Sequence, residues 1–317
     1  MQAGDMQAPD GQGRVLGGNG RVLGGEDSDV VRDGWAGVLL VSPTGDDEFR
    51  AGPRRRLPER SFGGAVVAQS LLAAGATVDP DRVAHSLHAY FLRAGEASSP
   101  IGFRVSRVRD GGSYSTRRVT AEQSGRAILE LTASFQVAEP GFTHQVPQLE
   151  APEPESLPTA QEAAADIEGP LRGWFEQLTR RHPFDIRFDG ELPRVAASRG
   201  EAAPPRQRFW MRSLEPLPDQ PLVHAAALAY ASDMLMLSTS LAPHARAVGA
   251  PDVAAASLDH AVWLHSPVRA DEWLCFEQES TWAAGGRCHC SGRLFDRAGR
   301  LVMTVAQEGM VRPLGPR

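Results

Sequence analysis

Three polar side chains stand out because their neighbours are apolar. Asp233 interrupts the run from Leu222 to Leu241, which otherwise reads as a mostly apolar helix. A carboxylate buried without partners costs several kcal/mol or raises its pKa. Asp233 therefore has a chemical task, reaches solvent, or caps a neighbouring loop. Gln307 follows Leu301, Met303 and Val305 at period two and shares their apolar face. Its amide donates and accepts at once, so it can hold a water in one orientation; the structural alternative is a glutamine that satisfies strand ends at a sheet margin. Ser257 opens a strand-like segment, where a serine is ordinarily a turn or edge residue.

Other chemistry-bearing residues point to less. No Gly-x-Ser-x-Gly turn surrounds any serine, which argues against an esterase of the α/β-hydrolase kind. Cys288 and Cys290 share a strand face but lack a second ligand pair at suitable spacing, so buried thiols are expected there and no metal. Asp259 and His260 are adjacent and face opposite sides of a strand, as do His85 and His88. A structural role at a junction between two halves of the chain is expected for all four. The run Arg54-Arg55-Arg56 precedes an apolar helix and is either a solvated loop or a contact for an anionic ligand.

Two buried helices and two sets of strands must position these groups. Phe62 to Ala74 is apolar or small on nearly every face, so a helix there is buried all round. Strands are expected at Trp35–Val41, His85–Arg93, Ile101–Arg109, Tyr114–Gln123 and Ala127–Val137, with Asp110-Gly111-Gly112 and Ser124-Gly125 as turns. The pattern returns after the helix of 222–241, with strands at Ser257–His265, Glu272–Trp282, Arg287–Phe295 and Leu301–Val311. Gly111-Gly112 and Gly285-Gly286 lie 174 residues apart, and so do Gly125-Arg126 and Gly299-Arg300. Each half is thus one apolar helix followed by an antiparallel meander. A curved sheet and one apolar helix bury each other when the sheet wraps the helix, which is the hotdog architecture. The expected fold class is α+β, a double hotdog of two tandem units.

Residues 1–33 are Gly-rich and polar, repeat Arg-Val-Leu-Gly-Gly, and read as a disordered tail. The first hotdog unit is expected at 34–138 and the second, with the catalytic residues, at 206–314. Between them, 139–205 carries Pro147, Pro152, Pro154 and Pro158 and reads as an inter-domain linker with little regular structure beyond an amphipathic stretch, Leu171 to Leu178.

Within this frame the motifs resemble the TesB-like acyl-CoA thioesterase II family. The resemblance is carried by Phe62-Gly63-Gly64, by His85-Ser86-Leu87-His88-Ala89-Tyr90-Phe91-Leu92-Arg93, and by Arg109-Asp110-Gly111 with Arg117-Arg118-Val119. Tyr230-Ala231-Ser232-Asp233, Ser257-Leu258-Asp259-His260-Ala261-Val262-Trp263 and Gln307-Glu308-Gly309 carry it in the second half. They run in order from about Gly34 to Arg312. The resemblance implies hydrolysis of acyl-CoA by a water held by Asp233, Ser257 and Gln307, with no covalent intermediate and no cofactor. Ser257 stands where the family commonly has threonine, so the hydroxyl is kept. Backbone N–H groups of Gly63 and Gly64, where a buried helix begins, are candidates to stabilise an oxyanion. Arg54, Arg55 and Arg56 are candidates for the CoA phosphates.

Composition bounds the alternatives. With 317 residues and 42% hydrophobic residues the chain can bury a sizeable core. A net charge of −6 argues against nucleic acid as a partner. Three late cysteines suggest a reducing compartment. No secretory signal, membrane span or C-terminal targeting tripeptide is expected, so the cytoplasm is the default. Homo-oligomer formation is a further expectation. Two other functions compete: a hotdog hydratase or dehydratase and a non-catalytic acyl-CoA-binding protein. The first needs an Asp-x4-His pattern, but the residue five beyond Asp233 is Ser238.

Overall fold

The structure is a computed structural model and describes residues 34–54, 60–148, 150–165 and 167–315. The tail at 1–33 and Arg55 and Arg56 lie outside the described residues. The first half comprises α1 (Trp35–Leu39), β1 (Ser42–Gly45), β2 (Glu48–Ala51), α2 (Gly63–Gly75), β3 (Arg82–Phe91), β4 (Ile101–Asp110), β5 (Tyr114–Gln123) and β6 (Arg126–Val137). A middle stretch holds α3 (Ala160–Ala163), α4 (Pro170–Arg181), β7 (Phe184–Phe188) and α5 (Pro193–Ser198). The second half comprises β8 (Arg206–Ser213), α6 (Pro221–Ala231), α7 (Met236–Leu241), β9 (Val253–Ser257), β10 (Asp259–Leu264), β11 (Leu274–Ala284), β12 (Arg287–Asp296) and β13 (Leu301–Pro313).

The described strands form one 13-stranded sheet in the order β1-β2-β4-β5-β6-β3-β10-β13-β12-β11-β8-β7, with β9 pairing β13. The two halves join where β3 meets β10 antiparallel, from Asp259 opposite Tyr90 to Trp263 opposite Ser86. On either side the order is the same: β3-β6-β5-β4-β2 matches β10-β13-β12-β11-β8. This is the double hotdog that the sequence repeat implies. The hairpin between β11 and β12 turns on Gly285 and Gly286, both in the left-handed region (φ 60° and 76°), which glycine enters without steric cost.

Each half contributes a helix, α2 from the first and α6 from the second, and the two pack together. Every residue of α2 from Gly64 to Ala74 is buried. A Cβ on Gly64 would lie 2.4 Å from the Tyr230 carbonyl oxygen, and one on Gly75 would lie 2.5 Å from the Leu222 side chain. The start of α2 therefore meets the end of α6 and the reverse, so the helices run antiparallel with a glycine at each crossing. The stretch Pro221–His244 is long and apolar enough to cross a membrane, but 78% of its most apolar window is buried inside the protein, as a core helix would be.

Four expectations change. Trp35–Val41, expected as a strand, begins with the helix α1; a short apolar run does not distinguish the two. There Trp35 Nε1 donates to Ser213 Oγ (2.6 Å) and the ring packs edge-on against Phe184 and Tyr230. The stretch 139–205 holds more regular structure than expected. Its amphipathic part is α4, and β7 pairs with β8 to extend the sheet by one strand. The helix expected over 222–241 is broken between Ala231 and Met236. Lastly, the strand expected at Ser257–His265 is interrupted at Leu258, so Ser257 ends β9 and Asp259 starts β10.

Candidate active site

The helix break places the carboxylate. Ser232 closes α6, Asp233 and Met234 turn the chain, and Leu235 takes a left-handed conformation (φ 63°) before α7 begins. Such a conformation costs a non-glycine residue about 1–3 kcal/mol and persists where the surroundings over-determine it. Two buried amides supply that determination. Gln278 Nε2 donates to the Met234 carbonyl (2.8 Å), and Gln207 Nε2 donates to the Leu235 carbonyl (2.9 Å) and to Gln278 Oε1 (2.6 Å). The carbonyls exposed by ending one helix and starting another are thereby satisfied. Gln207 and Gln278 went unremarked in the sequence. The signal for them is an amide at a buried position of a strand, as at Gln307.

The break aims Asp233 at the start of α2 in the other half. Oδ2 accepts from the Gly64 N–H (2.8 Å), and Oδ1 accepts from Gln307 Nε2 (2.9 Å). Ser257 Oγ lies 3.5 Å from Oδ1 and accepts from Gln307 Nε2 (2.5 Å). One carboxylate is thus held from three elements: the first turn of α2, the end of β9 and the inner face of β13. Gln307 is 1% exposed, as period two with Met303 and Val305 implies. Burial pushes the Asp233 carboxyl up to about 6, against the pull of Gln307, the Gly64 N–H and Ser257. The positive end of α2 acts in the same direction as those donors. A carboxylate near 6 is mostly ionised at neutral pH yet more basic than an ordinary aspartate, which suits proton abstraction.

No histidine bonds Ser257 among the described residues, so the serine lacks the histidine partner of a serine nucleophile. His260 bonds Ser232 instead (Nε2 to Oγ, 2.7 Å). Asp259 accepts from the Glu308 N–H (2.6 Å) and fixes the irregular end of β10. His88 packs edge-on against Trp263 across the β3–β10 junction, and His85 bonds Ser134 (2.8 Å). All four residues lie on the two joining strands.

Gly63 lies against the carboxylate: a Cβ there would meet Asp233 Oδ2 at 2.8 Å and the Phe91 ring at 2.9 Å. Gly64, a candidate oxyanion donor by sequence, gives its N–H to Asp233 and so positions the carboxylate. The guanidinium of Arg54 acts on the buried Tyr230 and the half-buried His182, which bond each other (2.8 Å), and no hydrogen bond or ion pair joins it to Asp233, Ser257 or Gln307 among the described residues. Cys288 and Cys290 are buried and unbridged, and no group of three metal-ligating side chains occurs among the described residues.

Residues 53–136 match the model of an acyl-CoA thioesterase N-terminal domain, and residues 150–311 match that of an acyl-CoA thioesterase C-terminal domain. Acyl-coenzyme A thioesterase 8 of Mus musculus is 37% identical over 294 residues, covering 87% of this chain and 88% of that protein. Acyl-CoA thioesterase 2 of Haemophilus influenzae is 35% identical over 255 residues, covering 79% and 87%. Among solved structures, an acyl-CoA thioesterase II TesB2 from Mycobacterium marinum superposes with a TM-score of 0.72 at 38% identity, covering 88% of this chain and 98% of that one. A hot dog fold protein from Alicyclobacillus acidocaldarius shares the fold at 19% identity, with a TM-score of 0.70.

Proposed function

The chain belongs to the TesB-like acyl-CoA thioesterase II family and hydrolyses acyl-CoA thioesters, and we propose that Asp233, Ser257 and Gln307 carry out that hydrolysis through one activated water. The observation that carries the proposal is a single basic carboxylate held by three donors, with no histidine bonded to Ser257 among the described residues. Asp233 accepts a proton from the water as its oxygen attacks the thioester carbonyl carbon. Gln307 and Ser257 fix the carboxylate and orient the water. Negative charge then develops on the carbonyl oxygen at the start of α2, where the Gly63 N–H is the donor proposed to meet it. Collapse of the tetrahedral intermediate breaks the carbon–sulfur bond, and the proton held by Asp233 passes to the departing thiolate. The products are a free carboxylic acid and CoA.

The same reading takes fatty acyl-CoA as the substrate and the cytoplasm as its setting, supported by three cysteines that stay free. Arg54, Arg55 and Arg56 remain the proposed contacts for the CoA phosphates. Thiol release from a panel of acyl-CoAs measures the activity, and a single turnover in ¹⁸O-water tests the route. Label is expected in the released acid and none in the protein. Label in the Asp233 carboxyl would mean that the aspartate itself attacks the thioester, and the water-activation reading would be rejected.

A further inference from the structure

Both hydrogens of the Gln307 amide are committed, to Asp233 Oδ1 (2.9 Å) and to Ser257 Oγ (2.5 Å). Its Oε1 is buried with no partner among the described residues. A primary amide turned by half a revolution has almost the same shape, so packing does not choose between its orientations. Turned, Oε1 would press against the Asp233 carboxylate and no N–H would reach it. A donor facing Oε1 would settle the choice.

The sheet register supplies one. Ala261 lies opposite Ala306 and Val262 opposite Val305. The paired register ends there; His260 and Gln307 are the next residues outward on the two strands, and the Gln307 side chain acts on the His260 ring as a hydrogen-bond partner. His260 is fully buried, and burial pushes its pKa down to about 4, against the pull of the Gln307 side chain, so the ring is neutral at physiological pH. Its Nδ1 is the second orphan: buried, without a partner among the described residues. Its Nε2 lies 2.7 Å from Ser232 Oγ, which also lies 2.9 Å from the Ala229 carbonyl.

A neutral ring has one proton to place. If it sits on Nε2, His260 donates to Ser232, Ser232 donates to Ala229, and Nδ1 and Oε1 confront each other as two lone pairs. If it sits on Nδ1, Ser232 donates to Nε2, and Nδ1–H donates to Gln307 Oε1. The second arrangement satisfies both orphans and gives up only the Ser232 bond to Ala229. Two buried groups left unpaired cost more than one neutral hydrogen bond returns.

We infer that His260 is a positioning residue for the hydrolysis, its Nδ1–H locking the Gln307 amide with the NH₂ toward Asp233 and Ser257, and Ser232 setting the tautomer. The inference rests on Asp233, Ser257 and Gln307 forming the water-activating group. Ser232 adjoins Asp233 in sequence, so one turn of chain carries both the base and the residue that sets the tautomer. The other titratable groups around this line are few. Tyr230 of α6 is buried, with its hydroxyl held in the neutral form, and Cys290 of β12 lies opposite Gln307. Asp259 is engaged with the Glu308 N–H, and Glu308 pairs with Arg287 (2.7 Å). From α2 the Gly64 N–H donates to the carboxylate and Gly63 lies against it, and neither titrates.

The direct test is ring ¹⁵N NMR of the full chain labelled in histidine, with the His260 signal assigned by its loss in His260→Asn. A neutral Nδ1–H ring is expected; an Nε2–H ring would overturn the inference. Kinetics gives a second arm. His260→Leu, which lacks the donor, is expected to lower kcat about ten- to a hundredfold with KM changed less than threefold, and to move the acid limb of the pH profile upward. His260→Asn keeps an N–H near the Nδ1 position and is expected to restore most of the rate. A folded His260→Leu within twofold of wild type, or an Asn variant as slow as Leu, would also overturn it. Should His260→Leu fail to fold, the wild-type tautomer decides. Failure here is distinct from failure of the water-activation reading. Asp233→Asn tests that reading, and an inactive Asp233→Asn protein beside an Nε2–H ring would reject only the role of His260.

Discussion

Replacing Asp233 by asparagine separates the chemistry of the carboxylate from its cost to the fold. The side chains are nearly isosteric, so the helix break and the contact with α2 are kept. Loss of a general base typically lowers the rate about 100- to 10,000-fold. The wild-type carboxyl titrates near 6, so roughly nine-tenths of it is ionised at pH 7. kcat/KM is therefore expected to fall about tenfold per pH unit below 6, and the variant is expected to lose that limb.

Stability supplies an independent readout. Burial raises the folded-state pKa from 3.8 to about 6, so between those values the folded protein holds a proton that the unfolded chain has released. That contribution is fully present below pH 3.8 and is lost as pH rises through 6. Two pKa units correspond to about 3 kcal/mol. Wild-type stability should lose roughly that much more than the Asn variant between pH 4 and pH 7. The assays are thiol release on a good acyl-CoA and urea unfolding at each pH, with circular dichroism confirming the fold. A folded Asp233→Asn enzyme within a few fold of wild type would refute the assignment of the base. Equal pH dependence of stability in the two proteins would refute the argument from burial.

Three further outcomes are expected. Gly64→Ala places a Cβ 2.4 Å from the Tyr230 carbonyl oxygen, which should cost about 1–3 kcal/mol of stability by overpacking and shift the N–H that holds Asp233. Its Tm should fall and its kcat with it; an unchanged Tm would mean that the helices part easily. Gln307→Ala and Ser257→Ala should each slow turnover less than Asp233→Asn, and the combined losses should fall short of additive because all three residues act on one water; strictly additive losses in a double variant would count against a shared water. Titration with a tight acyl-CoA analogue should give one equivalent per chain, since α2 carries no carboxylate and its one amide, Gln69, is spent on the Val38 carbonyl (2.8 Å). Two equal sites would contradict a single Asp233-centred site.

Much of this protein was legible in its residues. Burial patterns are local, so the mostly apolar helix expected from Phe62 to Ala74, found at Gly63–Gly75, and the period-two strands declared themselves, and the 174-residue spacing of the turn glycines exposed the repeat. Asp233 and Gln307 were visible as polar groups on apolar surfaces. What periodicity does not carry is the identity of a partner. The Gly64 N–H that holds Asp233 lies 169 residues away, and only the packing of α2 against α6 across the β3–β10 junction brings the two together. The break after Ala231 was also hidden. Ser232 to Leu235 contains no glycine or proline, and the break persists because Gln207 and Gln278, on distant strands, satisfy its carbonyls. Trp35–Leu39 became a helix for a similar reason: the pocket of Phe184, Tyr230 and Ser213 chose between two conformations that its apolar run allows equally. The same holds for His260, one neutral ring among nine histidines, whose place beside the Gln307 side chain exists only once β10 and β13 are paired.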